Sequence, residues 1–104
     1  MSPVNVAPEV GDAIPDLHYL PGRPFQHPIA ITAFRDADPG DVLHLRACCD
    51  DGRPLPRWLQ FDPQACAFRG TGPAAVEELR VAVIANDVDG MEARSVFMVR
   101  RVVT

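Results

Sequence analysis

Hydrophobic residues recur at every second position in several short segments of the chain. The clearest runs are Ile29–Ala33, Leu43–Cys49, Leu79–Ala85 and Phe97–Val99. A period of two places one face of an extended segment on a core and leaves the other face in water. Residues that favour turns separate the runs, at positions 21–22, 38–40, 50–52, 72–73 and 89–90. Short strands separated by turns in this way predict an antiparallel β-sandwich or barrel.

One segment competes with this pattern. Ala74–Leu79 contains good helix formers, but the β-branched residues of Val81–Ile84 follow directly and disfavour a long helix. A chain of 104 residues has the size of one domain with a single core. We therefore predict an extended lead-in or linker over residues 1–12 and one β-sandwich domain over residues 13–104.

Charge and hydropathy exclude several classes of function. The formal net charge of −4 argues against broad attraction to nucleic acid or to anionic membranes. No apolar run is long enough to cross a bilayer, so membrane insertion is not expected. Residues 1–10 lack the basic and apolar regions of a signal peptide. Two settings stay open: a cytoplasmic protein, or a module of a longer exported chain.

The cysteines and histidines do not form a recognisable reactive site. Three cysteines without CxxC spacing argue against a zinc site or a disulfide framework, although one Cys49–Cys66 bridge stays open. His44 and Cys48 share the outward face of a predicted strand, but about 13 Å of extended chain separates them. That distance is too long for a nucleophile–base pair. The histidines at positions 18, 27 and 44 have no metal-ligand spacing, and no catalytic residue is predicted.

Several motifs resemble one known family. Leu55–Pro63 (LPRWLQFDP) resembles the LPxWLxFD signature of dystroglycan-type cadherin-like domains and of Ig-like domains in bacterial surface proteins. Other matching segments occur in the family's order, at 34–41 (FRDADPGD), 68–73 (FRGTGP), 81–90 (VAVIANDVDG) and 97–99 (FMV). Cys66 departs from the family, which usually has glycine there, and so does Arg100–Arg101 in the last strand. The resemblance implies an all-β, Ig-like (cadherin-like) antiparallel Greek-key sandwich of about seven strands.

The alternation and the resemblance together predict the core. Its expected members are Ile31, Ala33, Leu43, Leu45, Trp58, Leu59, Phe61, Phe68, Val81, Val83, Phe97 and Val99.

Five aspartates are candidate calcium ligands. Calcium takes about six to eight oxygen ligands, so carboxylates from separate loops must converge. The resemblance implies that the DxD motif Asp36–Asp38 and the AxD residue Asp87 lie at one pole, shared with a preceding domain. Asp41 and Asp89 are second-rank candidates. Since aspartate also favours turns through its own backbone hydrogen bonds, turn formation stays open as the alternative role.

We expect a non-catalytic structural or adhesive module of a larger, exported bacterial protein that acts outside the cell or at its surface. Its expected partners are neighbouring domains of the same chain, a surface protein or a glycan, and the isolated chain is expected to be monomeric. Any calcium would bind weakly, because half of the ligands would come from a neighbour. The alternative is a carbohydrate-binding accessory module, which needs an exposed aromatic residue such as Tyr19.

Overall fold

The structure, a computed structural model, describes residues 8–30, 33–35, 43–75 and 77–102. These residues form nine β-strands and no α-helix. The strands are β1 (Glu9–Val10), β2 (Leu17–Tyr19), β3 (Pro24–Pro28), β4 (Phe34–Arg35), β5 (His44–Cys49), β6 (Leu59–Asp62), β7 (Ala67–Thr71), β8 (Glu78–Asn86) and β9 (Glu92–Arg101). Within the described ranges no helix is long and apolar enough to cross a membrane.

Two sheets form the sandwich. One has the order β2-β9-β8-β5 and the other the order β3-β7-β6, while β1 and β4 form a separate short pair. All pairs are antiparallel except β2 with β9, which run parallel. The grouping of β3, β6 and β7 against β5, β8 and β9 is that of an Ig-like sandwich. The predicted all-β, Ig-like fold is confirmed.

β8 is the central strand of the larger sheet, because it pairs with β5 on one side and with β9 on the other. Its inward residues Val81, Val83 and Ala85 have no exposed surface. The β-branched residues of this stretch favour the strand. Where helix formers competed, the described residues Ala74 and Ala75 form a turn.

Most of the predicted core is buried. Ala33, Leu59, Phe68, Val81, Val83, Phe97 and Val99 are each at most 2% exposed. Leu43, Leu45, Trp58 and Phe61 are half-buried against this cluster, and Ile31 lies outside the described residues. Six residues of the core cluster were missing from the prediction: Ile14, Leu17, Tyr19, Ile29, Phe34 and Ala85. Ile14, Leu17, Tyr19 and Phe34 lie outside the alternating runs, so a period of two could not reveal these four.

Two glycines of the 68–73 motif allow close contacts within the core. A Cβ at Gly70 would overlap the backbone carbonyl of Trp58, and a Cβ at Gly72 would overlap the ring of Tyr19. The Tyr19 hydroxyl donates to the carbonyl oxygen of Pro73 at 2.9 Å. The motif therefore needs small residues because other parts of the chain occupy the space of a side chain.

Candidate functional site

The strand order brings several loops to one end of the sandwich. Because β2 runs parallel to β9, the chain before β2 lies towards the start of β9, where the turn Asp87–Met91 joins β8 to β9. His44 lies opposite Asn86 in the same sheet. We call this end the N-terminal pole. Its described parts are residues 8–12, 29–30, 33–35, 43–44, 62–66 and 86–92.

Asp87 holds the turn at this pole. Its side chain is 4% exposed, and its Oδ1 accepts the backbone N–H of Asp89 at 3.0 Å and of Met91 at 2.9 Å. The backbone N–H of Asp87 also donates to the carbonyl of Met91 at 2.9 Å, and Gly90 has a φ of 86°. Asp87 therefore stabilises the turn, and its further role as a calcium ligand stays a prediction.

Among the other four candidate ligands, only Asp89 has a described position. Asp36, Asp38 and Asp41 lie outside the described residues, and Asp89 is exposed at the tip of the turn. Within the described ranges, no group of three or more His, Cys, Asp or Glu residues could hold a metal ion. The predicted site thus depends on residues 36–41, and only Asp87 and Asp89 have described positions.

Acidic residues accumulate at the N-terminal pole. Its described part carries Glu9, Asp12, Asp62, Asp87, Asp89 and Glu92. Arg35 is the only arginine among those residues, and two arginines of the strands reach the pole: Arg46 lies 3.1 Å from Glu92 and Arg69 lies 3.7 Å from Asp62. The net charge of −4 is therefore distributed unevenly. A concentration of carboxylates at one end raises the local concentration of cations.

A comparison of the sequence with protein families gives a match over nearly the whole chain. The profile of the family described as "Putative Ig domain" matches residues 6–102. The chain belongs to this Ig domain family. The predicted resemblance is confirmed, and no curated protein matches the chain in sequence.

Among solved structures, this Ig domain is similar to a nucleoside hydrolase-related hypothetical protein from Saccharophagus degradans, described as associated with carbohydrate metabolism. The TM-score is 0.64 at 12% sequence identity, over 94% of this chain. The Ig domain spans about a quarter of that chain's length, since 26% of it is covered. At this identity the likeness concerns the fold.

The three cysteines of the Ig domain are free thiols. Cys66 lines a small cavity with Leu43 and Leu45, whereas Cys49 ends β5, about 13 Å of strand beyond Leu45. A disulfide needs Cα atoms within about 7 Å, so the Cys49–Cys66 bridge does not form. Burial raises the pKa of both thiols, which is the opposite of what activates a cysteine nucleophile.

The aromatic residues are all at least partly enclosed. Tyr19 is 1% exposed and lies against Phe25 and Trp58, with ring centroids 5.9 Å and 5.5 Å away. Tyr19 therefore cannot serve as the exposed sugar platform, and that part of the carbohydrate alternative is wrong. Its long hydrogen-bonded side chain suits the core because the hydroxyl reaches a backbone carbonyl.

An ion-pair cluster that sequence reasoning missed lies on the outer face of the larger sheet. Asp50 accepts from Arg94 at 2.5 Å and lies 3.7 Å from Arg80. The Arg94 side chain must cross β8 to reach Asp50, and Ala82 between them has no exposed surface. In sequence, Asp50–Gly52 carried only a turn signal, because the partners are distant in the chain.

This cluster makes stability depend on pH. The hydrogen bond from Arg94 holds the pKa of the Asp50 carboxyl below its usual range. The contribution of Asp50 is therefore complete above the unfolded-state pKa of about 3.9 and is lost as the pH falls through the lower folded-state pKa. We expect Asp50→Asn to show a smaller fall in unfolding free energy than wild type between about pH 5 and pH 2, measured by urea denaturation. Asp51→Asn, next to it, should keep the wild-type slope; equal slopes for all three proteins would contradict the prediction.

Proposed function

We propose that this Ig domain is a non-catalytic structural or adhesive module of a larger, exported bacterial protein, and that its N-terminal pole takes calcium at a junction with a neighbouring domain. The observation that carries the proposal is the accumulation of carboxylates at the pole where the lead-in meets the sandwich. The turn held by Asp87 belongs to the same pole.

The path of the chain suits an array of modules. Pro8 and β1 lie at the N-terminal pole, whereas β9 runs to the opposite end, where Val102 donates its backbone N–H to the Tyr19 carbonyl at 2.8 Å. Neighbouring domains would therefore attach at opposite ends. This head-to-tail arrangement transmits tension along the sandwich and leaves the sheet faces available to partners.

The donor set fits a hard cation. Asp36, Asp38 and Asp41 lie between Arg35 and Leu43 in sequence, and both of these flanking residues belong to the N-terminal pole. Carboxylate oxygens are the ligands that calcium prefers. A neighbouring domain would supply the remaining oxygens, so this chain alone would bind with a Kd of about 0.1–1 mM, as extracellular modules do.

The calcium part predicts a rise in the thermal midpoint. About 10 mM calcium, tenfold above a Kd of about 1 mM, should contribute about 1.4 kcal/mol. For a domain of this size that raises Tm by about 6–10 °C, measured by calorimetry or circular dichroism. Asp87→Asn retains a side-chain oxygen for the two turn N–H groups but removes the charge, so it should lose most of the shift.

Glu77→Gln at the opposite pole is the matched control and should keep the full shift, and magnesium should give a smaller one. A midpoint that does not respond to calcium overturns the metal part alone. The module part predicts separately that the chain folds by itself in one cooperative transition, and a non-cooperative melt would overturn it.

The carbohydrate-binding alternative has less support. All seven aromatic residues lie in the described ranges, and each of them is buried or half-buried. A flat aromatic platform for a sugar ring is therefore absent from this domain. The solved structure associated with carbohydrate metabolism shares only the fold with this chain, so it does not support carbohydrate binding here.

A further inference from the structure

β5 forms an unpaired edge of the larger sheet among the described strands. It is six residues long and contains no proline. The other sheet edges are less open: β2 has three residues, β6 has four, and β3 carries proline at both ends. Short strands and prolines are common ways to protect an edge, and β5 has neither.

The backbone groups of Leu45 and Ala47 point away from the sheet at this edge. The N–H of Asp50 donates to the Arg80 carbonyl across the β5–β8 pair, whereas the N–H of Cys49 donates to Arg53 on the other side. Hydrogen-bonding direction alternates along an antiparallel strand, so Leu45 and Ala47 face the same way as Cys49. Two N–H and two C=O groups are thus available to an added strand.

An apolar groove lies beside these groups. It has a volume of about 460 Å³ and separates β5 from β6, the edge strand of the smaller sheet. Two prolines, Pro54 and Pro63, line it together with the apolar side chains of Leu45, Ala47, Leu55, Leu59 and Phe61. The prolines are exposed, and the other side chains except Leu59 are only half-buried, so an added strand with apolar inward side chains would cover them.

The outward positions of β5 select the charge of the occupant. His44 and Arg46 stand on this face, and no acidic residue occurs in the strand. Arg46 lies 3.1 Å from Glu92, yet its side chain is 58% exposed. A guanidinium has five N–H donors, so Arg46 can also donate to a second carboxylate on an incoming strand.

A second copy of β5 does not fit the same edge well. A two-fold axis would pair the two β5 strands antiparallel. Residues opposite each other must then have their side chains on the same face of the sheet, and the backbone groups of both must point towards the shared edge or both away from it. Placing Leu45 opposite Ala47 sets Arg46 against Arg46, and placing Leu45 opposite Leu45 sets Arg46 against His44. The register centred on Ala47 needs the backbone groups of Cys49, which already bond Arg53 and Gly52. The first register therefore repels like charge, the second gives Arg46 no carboxylate partner, and the third loses hydrogen bonds.

We propose that the edge of β5 binds an extended peptide segment of a partner protein by strand addition, with apolar side chains in the groove and acidic side chains beside Arg46. This mode takes affinity from main-chain hydrogen bonds and specificity from alternate side chains. The site lies on the side of the sandwich and begins at His44, which also belongs to the N-terminal pole, but the proposal does not rest on calcium binding.

The test uses three capped seven-residue peptides. The first alternates valine and glutamate, the second alternates valine and lysine, and the third has the composition of the first in an order without alternation. At low ionic strength the first should bind about tenfold more tightly than the second or third. NMR titration should shift the amides of Leu45 and Ala47, and hydrogen exchange at these two N–H groups should slow.

Two variants separate the backbone and charge contributions. Ala47→Pro removes an N–H that the β5–β8 pairing does not use, so it should abolish binding while the sheet remains folded. Arg46→Glu should reverse the preference in favour of the lysine peptide. Arg23→Glu makes the same charge change in an exposed turn and should leave the preference as in wild type.

Several results would overturn the proposal. These are no binding at millimolar peptide, equal affinity for all three peptides, or shifts confined to another surface. Concentration-dependent dimerisation that shifts the Leu45 and Ala47 amides without peptide would assign the edge to a second copy instead. Arg46→Glu introduces no proline into β5. An unchanged preference for the glutamate peptide in this variant would therefore overturn the proposal even if Ala47→Pro does not fold.

Discussion

Replacing Phe68 by alanine should lower the free energy of unfolding by about 3–5 kcal/mol, the range found for large aromatic residues in cores. Phe68 has no exposed surface. Its ring lies 4.7 Å from that of Phe61 in its own sheet and 5.1 Å from that of Phe97 in the facing sheet. The residue therefore joins the two layers, and its removal leaves a cavity that the strands on both sides cannot easily close.

Denaturation by urea with a fixed m-value would measure this loss. Val96→Ala is a suitable control, because Val96 is 43% exposed on the outer face of β9 and should cost less than about 1 kcal/mol. A loss below about 1 kcal/mol for Phe68→Ala would show that Phe68 does not connect the sheets. Since a domain is stabilised by about 5–15 kcal/mol in total, the expected loss is a large share of it.

Gly70→Ala should destabilise the domain by at least about 3 kcal/mol, the upper part of the range for overpacking. The added methyl group would overlap the carbonyl oxygen of Trp58, which is backbone and cannot rotate away. That carbonyl also accepts the N–H of Thr71 at 3.1 Å, which keeps the two segments close. The backbone of Gly70 is not in the left-handed region, so alanine meets no strain from φ itself.

The sign of this result discriminates between two explanations of the glycine. If Gly70 were merely a weak strand residue, alanine would stabilise the strand by about 0.5–1 kcal/mol. If close approach of Trp58 requires it, alanine destabilises. Thr71→Ala, at the exposed neighbouring position, controls for an alanine in β7 and should change stability by less than about 1 kcal/mol. Thermal and urea unfolding together would measure both variants.

Cys66 shows how a departure from the family pattern is accommodated. The family usually has glycine at this turn, and Cys66 has a φ of 54°, in the left-handed region that glycine adopts most easily. Its side chain is half-buried against the core, where a thiol behaves as a small apolar group. Cys66 therefore adopts the backbone conformation that glycine favours at a turn, and the sandwich is intact.

The aspartates show the limit of motif reasoning. Sequence spacing alone left turn formation and metal binding as two roles for Asp87, and the structure adds that Oδ1 serves two backbone N–H groups. The motif identified the residue but not the atoms in use. For Asp36, Asp38 and Asp41 the sequence motif remains the basis of the prediction.

The sequence by itself determined the all-β class, most of the core and the family, because a period of two, turn residues and ordered motifs are properties of short segments. Only the tertiary structure decided that Tyr19 is buried, that Asp50 pairs with Arg94 and that β5 is an open edge. These features depend on strand order and register, which join residues far apart in the chain. The accumulation of carboxylates at the N-terminal pole also depends on strand pairing. The parallel pairing of β2 with β9 directs the lead-in, with Glu9 and Asp12, towards the end of the sandwich that carries the Asp87 turn.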